Sequence, residues 1–355
     1  MRPWVVWATP FVAVILAVIV GALLIIGFHH NPVVAYSALF QGAFGNVQDI
    51  ATTLTDSLPL MLTGLGVAFA FRAGLFNIGG EGQYWVGAIV ATIFGIAFPG
   101  LWAPVHIFIC IVAAMIAAGL YAAVIPGLLK AYLGAHEVIT TMMLSYAMVF
   151  FGHYLVENGP MMRPGFIPES RPLAASALLP TLVPGSQLSV GIFLAPVCAL
   201  AMALLLNRTT YGFGIRTVGQ NPRAARYAGI RVPIYTVSAL FVSGLFMGLA
   251  GSVQVMGVEH QLLDGFNSGY GFTAIVVALL GKNHPWGTLA AAILFGALSA
   301  GANTMQINAA IPVQLVNAVE GLIIFFVATE GLIHWGLSRR HAAVQPAPGQ
   351  GALAG

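Results

Sequence analysis

Charge is what this sequence has least of. Lys, Arg, Asp and Glu together make up 6% of its 355 residues, where an ordinary soluble domain carries roughly 25%. Cysteine is nearly missing as well. The two present, Cys110 and Cys198, both sit inside apolar runs, which excludes a disulfide framework and any cysteine-based metal spacing. The ten-residue alternating segments of a membrane β-barrel are also lacking. What remains is apolar: 59% of residues are hydrophobic and the mean hydropathy is +0.92. Several runs approach or exceed the roughly 20 residues that a helix needs to cross a bilayer. The sequence therefore reads as an all-α polytopic membrane protein.

Catalytic patterns are missing too. A phosphate-binding loop needs G-x-x-x-x-G-K-[ST], whose glycines free backbone N–H groups for phosphate. The one Gly-Lys pair, Gly281-Lys282, is followed by Asn283, and Val276 stands where the first glycine belongs. His136-Glu137 opens a zinc-protease pattern that Thr140 breaks, since the second histidine belongs there. Glu137 instead suits the first turn of a helix, where a carboxylate meets the positive end of the dipole. The chain is not expected to be an enzyme, nor to hold a metal or cofactor.

The runs place about ten transmembrane segments, two of them short or interrupted, at 4–27, 53–71, 83–99, 101–128, 137–156, 188–207, 233–256, 270–281, 287–306 and 312–335. The first is too long for a signal-peptide core and lacks a small-residue cleavage site before FHHN, so it is expected to remain as a span. With the N-terminus inside, alternation puts Arg2, Arg72, Lys130, Arg208, Arg216, Arg223, Arg226, Arg231, Lys282, Arg339 and Arg340 on the cytoplasmic side. Only Arg163 and Arg171 fall outside, in a 157–187 loop that carries six prolines. This asymmetry places both termini in the cytoplasm. The expected layout is a transmembrane domain over 1–338, with 157–187 as external loop and 208–232 as cytoplasmic loop, followed by a disordered tail at 339–355. In the last span Glu320 lies deep enough to need a partner, while Glu330 reaches the inner interface.

Within this oily chain the stretch LFNIGGEGQYW, residues 75–85, brings together glycines, an amide and a carboxylate. Irregular backbone at membrane depth is tolerated only where protein or water surrounds it. Phe76, Asn77, Glu81 and Gln83 are thus candidates to border a pathway, facing a cavity or other helices rather than lipid. The competing reading is a cytoplasmic turn with glycine caps, since Arg72 marks the inner face. A second stretch echoes the first. TGLGVA (63–68) precedes GGEGQ (79–83) much as SGLFMG (243–248) precedes GVEHQ (257–261), sharing G-x-E-x-Q. Opposite chain directions would make these inverted repeats, which point to a transport route near their interface and add Glu259 and Gln261 to the candidates. A chance match between two Gly-rich segments is the alternative.

Four blocks carry a resemblance: AFRAGLFNIGGEGQ (70–83), AHEVITTMMLSYA (135–147), VGQNPRAARYAGI (218–230) and GYGFTAIVVALLGKNHPWG (269–287). In this order they resemble the permease subunits of bacterial ABC importers, in the branched-chain amino acid and ribose permease superfamily. The branch taking up nucleosides and related purines is the most similar. One position departs from the pattern: Ser145 stands where asparagine is often found.

The resemblance implies a subunit of the bacterial cytoplasmic (inner) membrane that forms the route for a small polar solute, with a ribose-like sugar as the alternative to a nucleoside. The implied partners are ABC ATPase subunits carrying ATP and Mg, a second permease chain, identical or related, and an extracytoplasmic substrate-binding protein, all in a lipid bilayer and without nucleic acid. Within 208–232 the resemblance implies a coupling helix that docks on the ATPase. It rests on Gly219, Asn221, Pro222, Ala224, Ala225, Tyr227 and Gly229, with Arg223 and Arg226 supplying charge. The blander reading is that the arginines only fix topology and meet anionic lipid heads. An ion-coupled secondary transporter, with Glu320 as its titrating group, is the other class to consider.

Overall fold

The computed structural model describes residues 3–266, 269–309, 312, 314–319, 321, 322, 325 and 326. Most of the expected last span, with Glu320 and Glu330, and the whole tail lie outside the described residues. Regular structure among the described residues is helical, apart from three isolated bridges. In chain order the helices are α1 (Pro3–Gly27), α2 (Pro32–Phe44), α3 (Val47–Arg72), α4 (Gly80–Ala97) and α5 (Ala103–Ala122). A π turn, Ala123–Gly127, joins α5 to α6 (Leu128–Leu133), and α7 is Glu137–Glu157. Then follow α8 (Leu194–Arg208), α9 (Thr210–Gln220), α10 (Pro222–Tyr227) and α11 (Val232–Gln254), the last extended by a π turn, Val255–Glu259. Next come α12 (Tyr270–Leu280) and α13 (Pro285–Ala309), and 314–319 is helical as well.

Six of these helices are long and apolar enough to cross a membrane: Val47–Arg72, Ala103–Leu133, Glu137–Glu157, Val190–Arg208, Val232–Glu259 and Pro285–Asn308. Nine of the ten expected positions coincide with the helices named above, and the tenth is described only in part, helical at 314–319. Two of the expected positions fall short of a full span for physical reasons. α12 has only 11 residues, about 16 Å of helix, and α4 opens on Gly-Glu-Gly-Gln. Two helices were not foreseen: α2, whose 13 residues include Tyr36, Ser37 and Gln41, and α9 within the supposed loop 208–232.

Local chemistry explains several boundaries. Asn46 caps α3, its side-chain oxygen accepting from Asp49 N at 2.9 Å and filling one of the orphan donors of the first turn. Pro126 falls inside the π turn, where a wider loop of backbone accommodates the missing N–H. Gly134, at φ 68°, closes α6. Across that turn Lys130 Nζ meets Glu137 Oε2 at 2.7 Å.

Contacts group the chain into two compact units, 1–36 with 306–355, and 37–305. In the first, Tyr36 Oη donates to Val18 O at 2.7 Å. A Cβ on Gly21 would come within 2.6 Å of Val319. The second unit is built around α11, which packs against α3, α4 and α5. These crossings use small residues. A Cβ on Gly87 would lie 2.4 Å from Gly248 O, one on Gly251 2.1 Å from Tyr84 O, and one on Gly244 2.5 Å from Ala118 O. Such close backbone approach is how helices gain packing contact where lipid gives no hydrophobic drive. The outward faces of α5, α6 and α7 carry exposed Phe108, Leu133, Ile139, Met143 and Phe150, as expected of surfaces that meet acyl chains.

At the end of α11 remote from α10, the 157–187 segment folds over the π turn. Ser170 N donates to Leu262 O at 2.8 Å, Leu173 N to His260 O at 2.9 Å and Leu179 N to Met256 O at 2.9 Å. Buried His106 ties this cap to the start of α5. Its Nε2–H donates to Phe94 O at 3.0 Å, so its Nδ1 accepts from Ser176 Oγ at 2.8 Å.

Candidate functional site

The 75–85 stretch lies where two helices are broken. After Arg72 the chain turns at Gly74 (φ 72°) and runs without helix to α4. Asn77 Nδ2 reaches Ser243 Oγ at 2.9 Å. Ser243 is eleven residues into α11, about 16 Å from its start. Glu81 Oε2 accepts from Gly271 N at 2.7 Å. That nitrogen is at the beginning of α12, nine residues from its other end and about 14 Å away. Nonhelical backbone therefore sits near half the depth of the helices around it, enclosed by α7, α11 and α12. Protein surrounds it as membrane depth demands. The turn reading accounts for Gly74, and enclosure by other helices accounts for residues 77–83.

The amides there satisfy one another, while Glu81 Oε1 is buried without a hydrogen-bond partner. Asn77 and Gln83 exchange two amide hydrogen bonds, Nδ2 to Oε1 at 3.0 Å and Nε2 to Oδ1 at 3.1 Å. Asn77 Oδ1 also accepts from Gly79 N at 3.0 Å. Helix α7 contributes hydroxyls: Thr141 Oγ1 accepts from Ile78 N at 3.2 Å and Ser145 Oγ from Gly82 N at 2.7 Å. Ser145 thus holds a defined polar contact. A Cβ on Gly82 would sit 2.7 Å from Ser145 Cα, so the two chains meet almost backbone to backbone. Asn77 is 1% exposed, Glu81 0% and Gln83 1%, whereas Phe76 is 48% exposed. Of the four, only Phe76 presents a surface.

Two helix N-termini, of α4 and α12, meet at this point. A Cβ on Gly271 would come within 2.1 Å of Glu81 N. The partial positive charge at both ends favours a carboxylate between them. Above Glu81 lies an aromatic stack. Tyr84 lies parallel to Phe266 at 5.0 Å and edge-on to Tyr270 at 6.0 Å, and Trp85 is edge-on to Phe266 at 5.3 Å.

Glu259 and Gln261, the echo of Glu81 and Gln83, have hydrogen-bond partners of their own. Glu259 ends the π turn and accepts from Gln254 Nε2 at 3.4 Å, while Gln261 Nε2 donates to Glu169 Oε2 at 2.7 Å. GGEGQ opens a helix at mid-depth and GVEHQ closes one under the cap. The two G-x-E-x-Q segments share no hydrogen bond among the described residues, but Glu81 and Glu259 both lie within electrostatic reach of Tyr84.

In the arginine-rich segment, Asn221 caps α10, accepting from Arg223 N at 3.0 Å and Ala224 N at 3.1 Å. Pro222 takes the first position, where its missing N–H costs nothing. Gly229, at φ 78°, follows the last turn. Ala225 is buried and Tyr227 is 94% exposed. Gly219 touches the broken connection itself. A Cβ there would lie 2.2 Å from Arg72 O, and one on Gly74 2.9 Å from Gly219 O. Nearby, Arg72 Nε donates to Asn283 O at 2.9 Å. Helix α9 is fixed to α11 by parallel Tyr211 and Tyr235 rings at 5.5 Å and by Tyr211 Oη donating to Ser238 Oγ at 2.9 Å. Sequence reasoning missed the roles of Ser243, Thr141 and Gly271 at the break. Each is a small residue whose meaning comes only from its distant partner.

The family model described as "Branched-chain amino acid transport system / permease component" matches residues 49–328. The chain belongs to this permease family. The match includes both helix breaks and the arginine-rich segment, and with the apolar helices it makes the permease a multi-pass membrane protein. It is 39% identical to the guanosine ABC transporter permease protein NupP of Bacillus subtilis, over 92% of this chain and 94% of that one. It is 35% identical to the nucleoside ABC transporter permease protein NupB of Lactococcus lactis, over 91% of each. A glucose ABC transporter permease protein, TsgB13 of Haloferax volcanii, is 31% identical over 92% of this chain and 88% of its own. No solved structure matches the permease.

Proposed function

We propose that this permease is the membrane subunit of an ATP-driven importer and that its cargo is a nucleoside. The observation that carries the cargo is near full-length similarity to permeases named for guanosine and for nucleosides. The glucose permease supports a sugar as the second reading. Ribose makes a nucleoside partly a sugar, and both solutes need hydrogen-bonding groups rather than fixed charge.

In this reading two permease chains enclose the route, and an extracytoplasmic binding protein delivers solute to the cap at 157–187. Two ATPase subunits, holding ATP and Mg, dock on α10 through Arg223, Arg226 and Tyr227. Both termini are cytoplasmic, and the shorter apolar helices complete about ten transmembrane segments in the cytoplasmic membrane, two of them short or interrupted. Phe76 faces the route, and Asn77, Glu81 and Gln83 hold the backbone behind it. Glu259 and Gln261 stand at the outer end. The α10 geometry supports the docking: a capped helix with its alanine buried and its tyrosine outward is a rigid knob. It follows α9, whose Gly219 touches the α3–α4 connection, so a push on α10 is passed to the break through α9.

The test is gentle affinity purification of the tagged chain from its native membrane, with mass spectrometry of what remains bound and uptake of labelled guanosine and glucose in the same cells. An ATPase subunit in the eluate and guanosine uptake lost on deleting the gene are expected. A chain that purifies alone and drives uptake from an ion gradient would overturn the importer reading. Glucose uptake lost in place of guanosine uptake would overturn the cargo.

A further inference from the structure

At the outer end of α7, His153 and Glu157 are one turn apart on the same helix face, and Asp264 approaches them from the segment after α11. The imidazole Nδ1 or Nε2 and the two carboxylate oxygens lie within 4.8 Å of one another. His153 Nδ1 is already in contact with Asp264 Oδ1. We propose that these three side chains form a binding site for a divalent transition-metal ion, best suited to zinc.

The geometry is that of a three-ligand site. An i, i+4 pair presents two ligands side by side from one helix, and a third from a distant segment completes a face, leaving a fourth position open to water. The donor set is one nitrogen and two oxygens. Zinc accepts this set, whereas calcium and magnesium favour sites made of oxygen alone. The electrostatics point the same way. Two carboxylates converge here, and among the described residues no lysine or arginine is ion-paired with either. Like charges at this range repel, and a dication between them reverses the sign of the interaction.

The ligands are held in place by packing that does not depend on the metal. Trp85, fully buried, lies against the His153 ring at a centroid distance of 5.5 Å. Asp264 N donates to Pro168 O at 2.9 Å, which fixes the segment that carries the carboxylate. A bound ion would tie that segment to α7 a few residues before α12 begins.

The test uses the full chain purified in nanodiscs, titrated with zinc against a chromogenic chelator and separately with cobalt(II), whose visible absorption reports ligand geometry. Wild type should bind one tight equivalent that calcium does not displace. His153→Ala and Asp264→Asn should each weaken it at least about tenfold, the loss typical when a metal's supporting groups are altered. Asp264→Asn keeps the shape and a hydrogen bond to His153, and Glu157→Gln changes an exposed side chain. A loss of affinity in these two, with unchanged melting of the metal-free protein, therefore reads ligand removal rather than misfolding. No tight equivalent in wild type, or equal zinc affinity and equal cobalt spectra in all three variants, would overturn the site.

Discussion

Asn77 shows how much one side chain at the break is asked to do. Its amide donates to Gln83 and Ser243 and accepts from Gly79 N and Gln83. Asn77→Asp keeps size and acceptors but sets a buried carboxylate oxygen against Gln83 Oε1, although the Ser243 hydroxyl can rotate to donate to it. Leaving the Gln83 oxygen buried without a donor costs about 1–3 kcal/mol. The variant should melt several degrees below wild type in fluorescence-monitored heating of nanodiscs, and Ser243→Ala should fall by less. An unchanged melting point for Asn77→Asp would remove the network from the account of the fold. Glu81 allows a sharper comparison. Glu81→Gln retains an acceptor for Gly271 N, while Glu81→Leu leaves that N–H buried without a partner. Gln should preserve folded yield and Leu should reduce it, as judged by the monodisperse fraction in size-exclusion chromatography. The polar character of 77–83 was legible in the sequence, because amides and a carboxylate do not face lipid. Their partners were not, since Thr141, Ser243 and Gly271 are unremarkable letters until the fold brings them within 3.2 Å.

For helices, legibility followed length. The runs behind α5, α7 and α11 exceed what any loop would tolerate, so their existence could be read directly. α2 escaped because 13 residues with a glutamine and a serine fall short of a span. α9 escaped because arginines and glycines in 208–232 looked like loop, although Thr209 caps it by accepting from Gly212 N at 2.9 Å. The α4–α11 crossing gives a prediction of its own. Gly251→Ala would drive a methyl to within 2.1 Å of Tyr84 O, and backbone cannot yield as a flexible side chain would. Overpacking of this kind typically costs about 1–3 kcal/mol. Its yield of folded protein should drop, whereas Gly229→Asn, at a left-handed position with open space around it, should be tolerated. On α10, Arg223→Glu with Arg226→Glu should leave insertion and melting intact but abolish ATP-dependent uptake in proteoliposomes. Intact coupled uptake would place the ATPase contact elsewhere.

Taken whole, the 37–305 unit is organised by two interruptions that hold each other. The α3–α4 connection and the start of α12 meet through Glu81 and Gly271, while the same connection touches Gly219 beneath. Class and family could be anticipated from hydropathy and four motif blocks, because those properties are local. The depth of the interruptions could not. It is set by which residue of α11 or α12 a given turn reaches, a matter of tertiary register.

Helix α12 carries a consequence for how the chain is made. Eleven residues cross only about half of a 30 Å hydrocarbon layer, so as α12 emerges from the ribosome it is too short for the insertion machinery to recognise as a span. It can settle at its final depth only against α3 and α4, synthesised well before it. Biogenesis of this region is therefore a docking event between a late segment and an assembled shell. A chain truncated shortly after Gly281 and released from the ribosome should leave α12 accessible to membrane-impermeant labels when α3 is weakened, and protected when α3 is intact.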